Sequence, residues 1–351
     1  MSVNDYVVSG RLGAGVTAQV YECHSPQYGK AALKVIEKST GRESLHRELM
    51  ALQALKDHSN IISLFSIIDD QKSDITWLVE EMAERGSLVG VMMSGMECQR
   101  MGYEIVCGLA HMHSKGFIHR DVKPANILRA ANGTSKLADF GCCVRMEEGG
   151  DTARNKHFMG TPAFMAPETF KDGVVTPAVD VWSFASTLHY VVYGTLPFDT
   201  RVRGGTKGKN AAVDDAAIED SIMFYEPYLG TNARPRHMKN MEKRWHSDDV
   251  TKFNHFCKMG LHKNPTHRCT LGQWRQHEWL YFYYIPLVAV EMPCCRCVAL
   301  FSLLDVACKA CTPHPAPHIT PNKAPASDCP PHTSRDTKQS CKTLPPQTDP
   351  S

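Results

Sequence analysis

Two short, closely spaced stretches constrain this chain more than any others: His119-Arg120-Asp121-Val122-Lys123-Pro124-Ala125-Asn126 and Asp139-Phe140-Gly141. Between them they hold Asp121, Asn126 and Asp139, three side chains with oxygen acceptors. A carboxylate can take the proton of an attacking hydroxyl, and a hard cation prefers oxygen ligands. Asp, Asn and Asp therefore suit one chemical site where Ser or Lys would not. The plainer alternative is a surface loop that happens to contain Asp and Asn. The spacing from Asp121 to Asn126, with the second stretch following at once, argues against it.

Composition narrows the class. At 351 residues and 42% hydrophobic content, the chain can bury a sizeable core in one large or two smaller domains. The 39 basic and 37 acidic residues nearly cancel, so charge makes no case for nucleic acid or for an acidic membrane as partner. Met1-Ser2-Val3-Asn4-Asp5 shows no basic region leading into an apolar stretch, which predicts an intracellular protein without a secretory signal, cytoplasmic or nuclear. Half of the 14 cysteines are scattered through the chemically interesting region, as free buried thiols in a reducing compartment would be. The longest apolar runs, Tyr281 to Val290 and Val298 to Leu304, are too short to cross a bilayer, so no transmembrane helix is predicted.

Alternation of apolar and polar residues from Tyr6 to about Ile36, around a glycine cluster, predicts two or three strands with tight turns. Arg42 to Leu55 has apolar side chains at helical spacing, and Thr40-Gly41 marks a turn before it. Ile61 to Ile68 and Ile75 to Val79 read as further strands, and Gly86 and Ser87 break the pattern ahead of a mainly helical region. Met101 to His113 and Trp182 to Tyr193 read as core helices, the second stopping at Gly194 with Pro197 beyond. Arg201 to Ala217 reads as a polar loop. From Met292 onward Pro, Cys, His and Thr accumulate without periodicity, which predicts a disordered tail over 283–351.

The two opening stretches resemble the catalytic loop and metal-binding motif of the eukaryotic-type serine/threonine protein kinase family, a resemblance that covers roughly residues 5–282. It implies an α+β, bilobal fold, with a small β-rich N-terminal lobe over about 5–83 and a larger, mainly helical C-terminal lobe over about 84–282. It also implies ATP and Mg2+ as cofactors, protein substrates as partners, and a monomer. Asp121 would accept the proton of the substrate hydroxyl, while Asn126 and Asp139 would hold magnesium. Lys123 and Thr161, the latter in Gly160-Thr161-Pro162-Ala163-Phe164-Met165-Ala166-Pro167-Glu168, match the serine/threonine branch. Thr161 would bond to Asp121 and Lys123 beneath the substrate hydroxyl.

Leu12-Gly13-Ala14-Gly15-Val16-Thr17-Ala18-Gln19-Val20 resembles the glycine-rich loop over the ATP phosphates, with Ala18 where the family usually has a third glycine. Taken alone it could be an ordinary hairpin or a dinucleotide fingerprint. The strand-like Thr17 to Glu22 that follows excludes the helix a fingerprint requires. Lys34, after Ala31, Ala32 and Leu33, resembles the lysine that contacts the phosphates, with Glu48 as its partner in preference to Glu43. Backbone groups near Glu81 and Ala83 would bind the adenine edge. Glu80 falls where the family usually has an apolar or Thr side chain at the back of the pocket. Either the register is off by one there, or the pocket is unusually polar. Glu168 would pair with a buried Arg268, and Asp180 would tether the catalytic loop from beneath.

Other residues carry less. Cys294, Cys295, Cys297, Cys308 and Cys311 lack the paired short spacings of a zinc knuckle, and lipidation of Cys294 or Cys295 is a minor alternative. Cys142 and Cys143 read as small apolar groups, and His111, His113 and His157 show no ligand geometry. The rival readings are a pseudokinase scaffold, which the presence of Lys34, Asp121 and Asp139 disfavours, and a small-molecule kinase, which the segment around Thr161 disfavours.

Overall fold

The computed structural model describes residues 2–280 except 4, 15–17, 70–72, 148–149, 151, 156–158, 172, 199–214, 225, 228, 230–244 and 246. All of them belong to the first of the chain's two compact units, Met1–Pro293. The boundary expected at residue 282 and the whole of the tail lie outside the described residues, as do the tail cysteines.

The N-terminal part is a six-stranded sheet in the order β1-β2-β3-β4-β6-β5. Its strands are Ser2–Val3 (β1), Tyr6–Ala14 (β2), Ala18–Ser25 (β3), Gly29–Glu37 (β4), Leu64–Asp69 (β5) and Ile75–Glu81 (β6), and every pairing is antiparallel. Side chains alternate between faces along a strand. Ala31 and Leu33 accordingly join Tyr6, Cys23 and Val79 on one side, while Ile36 packs with Leu45 and Leu78 on the other. The second side is covered by helix α1, Lys38–Ala54.

Two expectations need correction here. Thr40-Gly41 is not a turn before the helix but lies inside it, because β4 runs straight into α1. Lys38 anchors that start: its N–H donates to the Asp74 carbonyl at 2.7 Å and its Nζ pairs with Asp69 at 2.6 Å. These tertiary contacts outweigh the poor helix propensity of one glycine. The strand expected from Ile61 begins only at Leu64. Ile61 and Ile62 instead turn into the main core, where the Ile62 N–H donates to the Leu137 carbonyl at 2.9 Å.

Beyond β6 the chain is mainly helical. Helix α2, Gly95–Ser114, begins with a capping box in which Ser94 and Glu97 satisfy each other's backbone N–H groups. A short strand β7, Phe117–Ile118, leads to the pair β8, Ile127–Arg129, and β9, Ser135–Leu137. Next come β10, Val144–Arg145, paired with β7, and β11, Ala153–Asn155, paired with β12, Gly173–Val175. Helix α3, Ala178–Tyr193, ends where Gly194 takes a left-handed conformation with φ 68°, its N–H reaching the Tyr190 carbonyl at 2.8 Å. Asp215–Phe224 (α4), Ser247–Gly260 (α5) and Leu271–Arg275 (α6) complete the described helices. Residues 215–217, read as the end of a polar loop, are therefore the first turn of α4, and 201–214 lie outside the described residues.

The main core joins all six helices, with Trp182, Trp274, Trp279, Phe184, Phe253 and Phe256 fully buried. Truncating any one of these aromatics would cost about 3–5 kcal/mol. That rigidity holds the loops between β7 and α3 in place.

Candidate active site

The site is built from the loops after β7 and β9, facing β4 and α1 of the N-terminal sheet. Asp180, fully buried at the start of α3, fixes the first loop from below. Its Oδ1 accepts the Arg120 N–H at 2.8 Å and its Oδ2 accepts the His119 N–H at 2.9 Å. Burial would push the Asp180 carboxyl up. The bond from His113, its charge and that of His119 outweigh burial and hold it below the ordinary value. Arg120 adopts a left-handed backbone with φ 66°, a strained conformation for a residue with a Cβ, which the two bonds to Asp180 help enforce. His113, which sequence reasoning left without a role, places its Nε2 2.8 Å from Asp180 Oδ2. No sequence signal links residues 67 positions apart. His111 stacks on His58 at 4.5 Å, and His157 lies outside the described residues.

Asp121 follows with a fully defined surrounding. Thr161 donates from Oγ1 to Asp121 Oδ1 at 2.8 Å, and Lys123 Nζ reaches Asp121 Oδ2 at 2.7 Å and Thr161 Oγ1 at 2.7 Å. Asn126 donates from Nδ2 to the Asp121 carbonyl at 2.9 Å and to its Oδ2 at 3.0 Å. Both hydrogens of the amide are thereby used, so its Oδ1 remains as an acceptor for a cation. Thr161 is delivered by a tight approach at Gly160, where φ is 115° and a Cβ would lie 2.6 Å from the Arg120 carbonyl. Only glycine fits there.

Asp139 also has a left-handed backbone, with φ 62°. Its side chain is 51% exposed and accepts from Lys34 Nζ at 3.0 Å through Oδ1. Lys34 also reaches Glu48 Oε1 at 2.6 Å. Glu48 is thus the partner, while Glu43 pairs with Arg47 within α1. The Lys34 ammonium holds the Asp139 carboxyl below its ordinary value. Burial alone would lower Lys34, yet the charges of Glu48 and Asp139 raise it, so it stays charged. Gly141 lets this loop meet α1, since a Cβ there would collide with Ser44 Oγ at 2.2 Å.

Nearer the sheet, Gly13 stands opposite Val20 and Ala14 opposite Gln19 at the end of the β2-β3 hairpin, whose tip, Gly15, Val16 and Thr17, lies outside the described residues. Leu12 is exposed, and Ala18 lies opposite Ile36. Ala32 is buried on β4 opposite Glu80 of β6. The register question raised by the sequence has a structural answer: Glu80 is buried inside, only 8% exposed, with Oε1 unpartnered. Glu81 is turned away from the cleft, its N–H donating to Ser63 and its carboxylate pairing with Lys136 at 3.0 Å. The Ala83 carbonyl accepts from the Gly86 N–H at 2.9 Å, and its own N–H donates to no backbone carbonyl among the described residues.

Arg268 forks onto both carboxylate oxygens of Glu168, with its plane 5.0 Å from the Trp182 ring. This pair braces the segment that carries Thr161. The described cysteines are all free, and burial pushes Cys142 up to about 11 and Cys143 up to about 12, so neither is a thiolate nucleophile at neutral pH. Among the described residues no three His, Cys, Asp or Glu side chains converge on a metal. The available hard donors are Asn126 Oδ1 and the Asp139 carboxylate. This donor set fits magnesium, which is commonly bound by one or two carboxylates together with substrate phosphates.

A β-sheet lobe bearing a lysine-carboxylate pair, set over a helical lobe bearing Asp, Asn and a second Asp, is the architecture of a phosphotransferase. Comparison with known proteins agrees. The protein kinase domain family matches residues 6–280, and the chain belongs to that family. The chain is 26% identical over 317 residues to the serine/threonine-protein kinase TOS3 of Saccharomyces cerevisiae, covering 80% of this chain and 54% of that protein. It is 32% identical over 201 residues to the serine/threonine-protein kinase PEPKR2 of Arabidopsis thaliana, covering 56% and 41%. With the human mitogen-activated protein kinase kinase kinase kinase 3 it shares 29% identity over 305 residues, covering 82% and 30%. The chain thus spans about half the length, or less, of these relatives.

Proposed function

We propose that this chain is a serine/threonine protein kinase that moves the γ-phosphoryl group of ATP to Ser or Thr hydroxyls of protein substrates, through a catalytic domain spanning 5–282. The observation that carries this reading is the triangle of Asp121, Lys123 and Thr161, each within 2.8 Å of the next. The substrate hydroxyl oxygen forms a bond to the γ-phosphorus as the bond to the β-phosphate oxygen breaks, and ADP leaves. Asp121 takes the hydroxyl proton, and Thr161 holds its carboxylate in position for that transfer. Lys123 places positive charge beside the transferring group, and Lys34, oriented by Glu48, does the same for the phosphates of the nucleotide. Magnesium, held by Asn126 and Asp139, would neutralise phosphate charge. Leu12 to Val20 would cover the phosphates, and Ala32, Glu81 and Ala83 would frame the base. The protein is read as a monomer acting on protein partners, with no nucleic acid involved.

Incubating the purified chain with labelled ATP and a degenerate peptide library tests this directly. Label on Ser and Thr peptides is the expected result. A chain that binds ATP yet labels no peptide or protein would be a scaffold.

A further inference from the structure

Glu80 is left without a task by the reading above. It stands opposite Ala32 in the β4-β6 ladder, and Leu78 stands opposite Lys34. Side chains two residues apart share a face, as do directly paired ones. Glu80 therefore lies on the same face as Ala32 and Lys34, the face from which Lys34 reaches Glu48 and Asp139. Its surface is 8% exposed, and Oε1 is buried without a hydrogen-bond partner. An unpartnered buried carboxyl oxygen disfavours folding, and an apolar side chain of similar size would avoid that cost.

Position suggests what satisfies it. Along the chain Glu80 directly precedes Glu81 to Ala83, where the base edge is held. Across the sheet it neighbours Lys34, where the phosphates lie. A purine spanning these two places would pass across the face that carries Glu80. We propose that the Glu80 carboxyl hydrogen-bonds the purine 6-substituent, accepting from the amino group of adenine or donating to the carbonyl oxygen of a 6-oxopurine. GTP and ITP then serve as phosphoryl donors alongside ATP. This rests on the nucleotide site proposed above.

The chemistry of the group supports both bonds. A neutral carboxylic acid has one donor and an acceptor, whereas a carboxylate only accepts. Burial pushes Glu80 up to about 8, with the Lys34 ammonium opposing and Glu48 and Asp139 adding to the rise. That rise favours the neutral acid, the form that can donate. Those three are the charged groups acting on it, from β4, from α1 and from the loop after β9.

Peptide phosphorylation is measured with ATP, with ITP and with purine riboside triphosphate, which lacks a 6-substituent, for wild type, Glu80→Gln and Glu80→Leu. In wild type at pH 7, ITP should work within about tenfold of ATP, and the unsubstituted purine should be poorer than either by about tenfold, the worth of one hydrogen bond. Glu80→Leu should lower the ITP-to-ATP ratio of kcat/KM about tenfold, and Glu80→Gln, which keeps a donor and an acceptor, should preserve it. Raising the pH to 9 should lower that ratio in wild type and leave it flat in Glu80→Gln. Equal ratios in wild type and Glu80→Leu, or a ratio in wild type that ignores pH, overturn the proposal. The second comparison stands even if Glu80→Leu fails to fold. Turnover of ATP with unchanged ratios defeats only the role of Glu80, whereas no turnover of ATP defeats the kinase reading itself.

Discussion

Thr161 donates its hydroxyl proton to Asp121 Oδ1 at 2.8 Å while accepting from Lys123 Nζ at 2.7 Å, so one side chain fixes both the carboxylate and the ammonium beside it. Removing the hydroxyl leaves the residues in place but frees their geometry. Thr161→Val should lower kcat by roughly 10- to 100-fold, as small misplacements at a reacting centre do, with the KM for ATP little changed. Thr161→Ser should recover most of the loss. Steady-state kinetics on the three proteins checks this, and a Thr161→Val variant with normal kcat would remove Thr161 from the mechanism.

Asp139→Asn removes a charge from the site where magnesium would sit, and Lys34→Met removes one that would face the nucleotide phosphates. Each should cut phosphoryl transfer by at least about 100-fold. Their stabilities should differ. Asp139 is half exposed, so its variant should melt near wild type. Lys34→Met strands the Glu48 carboxylate, only 1% exposed, and should cost about 3–5 kcal/mol. Adding Glu48→Gln should restore the melting temperature without restoring activity. Near wild-type turnover with normal magnesium dependence in either single variant would refute the assigned roles.

Glu80 gives stability a pH dependence with a definite sign. The folded chain keeps the proton up to about pH 8, whereas the unfolded chain releases it near the ordinary value of 4.5. Between those values the folded state binds more protons, so the contribution of Glu80 to stability declines as pH rises. Glu80→Gln escapes that decline. Its melting temperature should gain on wild type progressively from pH 5 to 8 and level off above 8. Differential scanning fluorimetry across that range decides, and a gain that shrinks with rising pH would mean Glu80 is ionised and paired.

Substrate choice should lack one common feature. Ala125, exposed between Pro124 and Asn126, and Ser87, after the interlobe connection, stand where kinases that select Arg before the target hydroxyl often carry acids. Glu84, the nearby carboxylate, accepts from the Ala131 N–H at 2.9 Å. No strong preference for Arg three residues before the phosphorylated site is expected, and dominant Arg selection there in a peptide library would contradict this.

Activity should not require phosphorylation of the segment from Asp139 to Glu168. Arg120 gives its Nε–H to the Cys142 carbonyl at 2.8 Å, with Nη2 3.6 Å from Met159 Sδ. The β11-β12 ladder, Ala153 to Val175 through Asn155 to Gly173, holds the same segment by backbone bonds that need no phosphate. Thr152 and Thr161 are its only hydroxyl side chains, and Thr161 is engaged with Asp121. Phosphatase treatment should therefore leave the rate within about twofold, well under the effect of a charge-assisted switch. A large loss that Thr152→Ala reproduces would show that phosphate controls the loop.

Much of this was readable along the chain. His119 to Asn126, Asp139-Phe140-Gly141 and the segment around Thr161 are contiguous runs whose residue types carry their chemistry, and α3 with its Gly194 stop follows from local periodicity and cap. What tertiary structure alone decided are relationships between residues far apart: Lys34 with Asp139 across 105 positions and His113 with Asp180 across 67. The same holds where local signals lost. Gly41 was drawn into α1 by the anchors on Lys38, Ile61 and Ile62 were pulled from a strand into the core, and β11 found β12. Burial decided Glu80, since a carboxylate in a strand carries no mark of which face will be sealed. Local sequence sets propensities and reactive groups, whereas burial, which shifts charge states and selects partners, exists only once the layers have closed over one another.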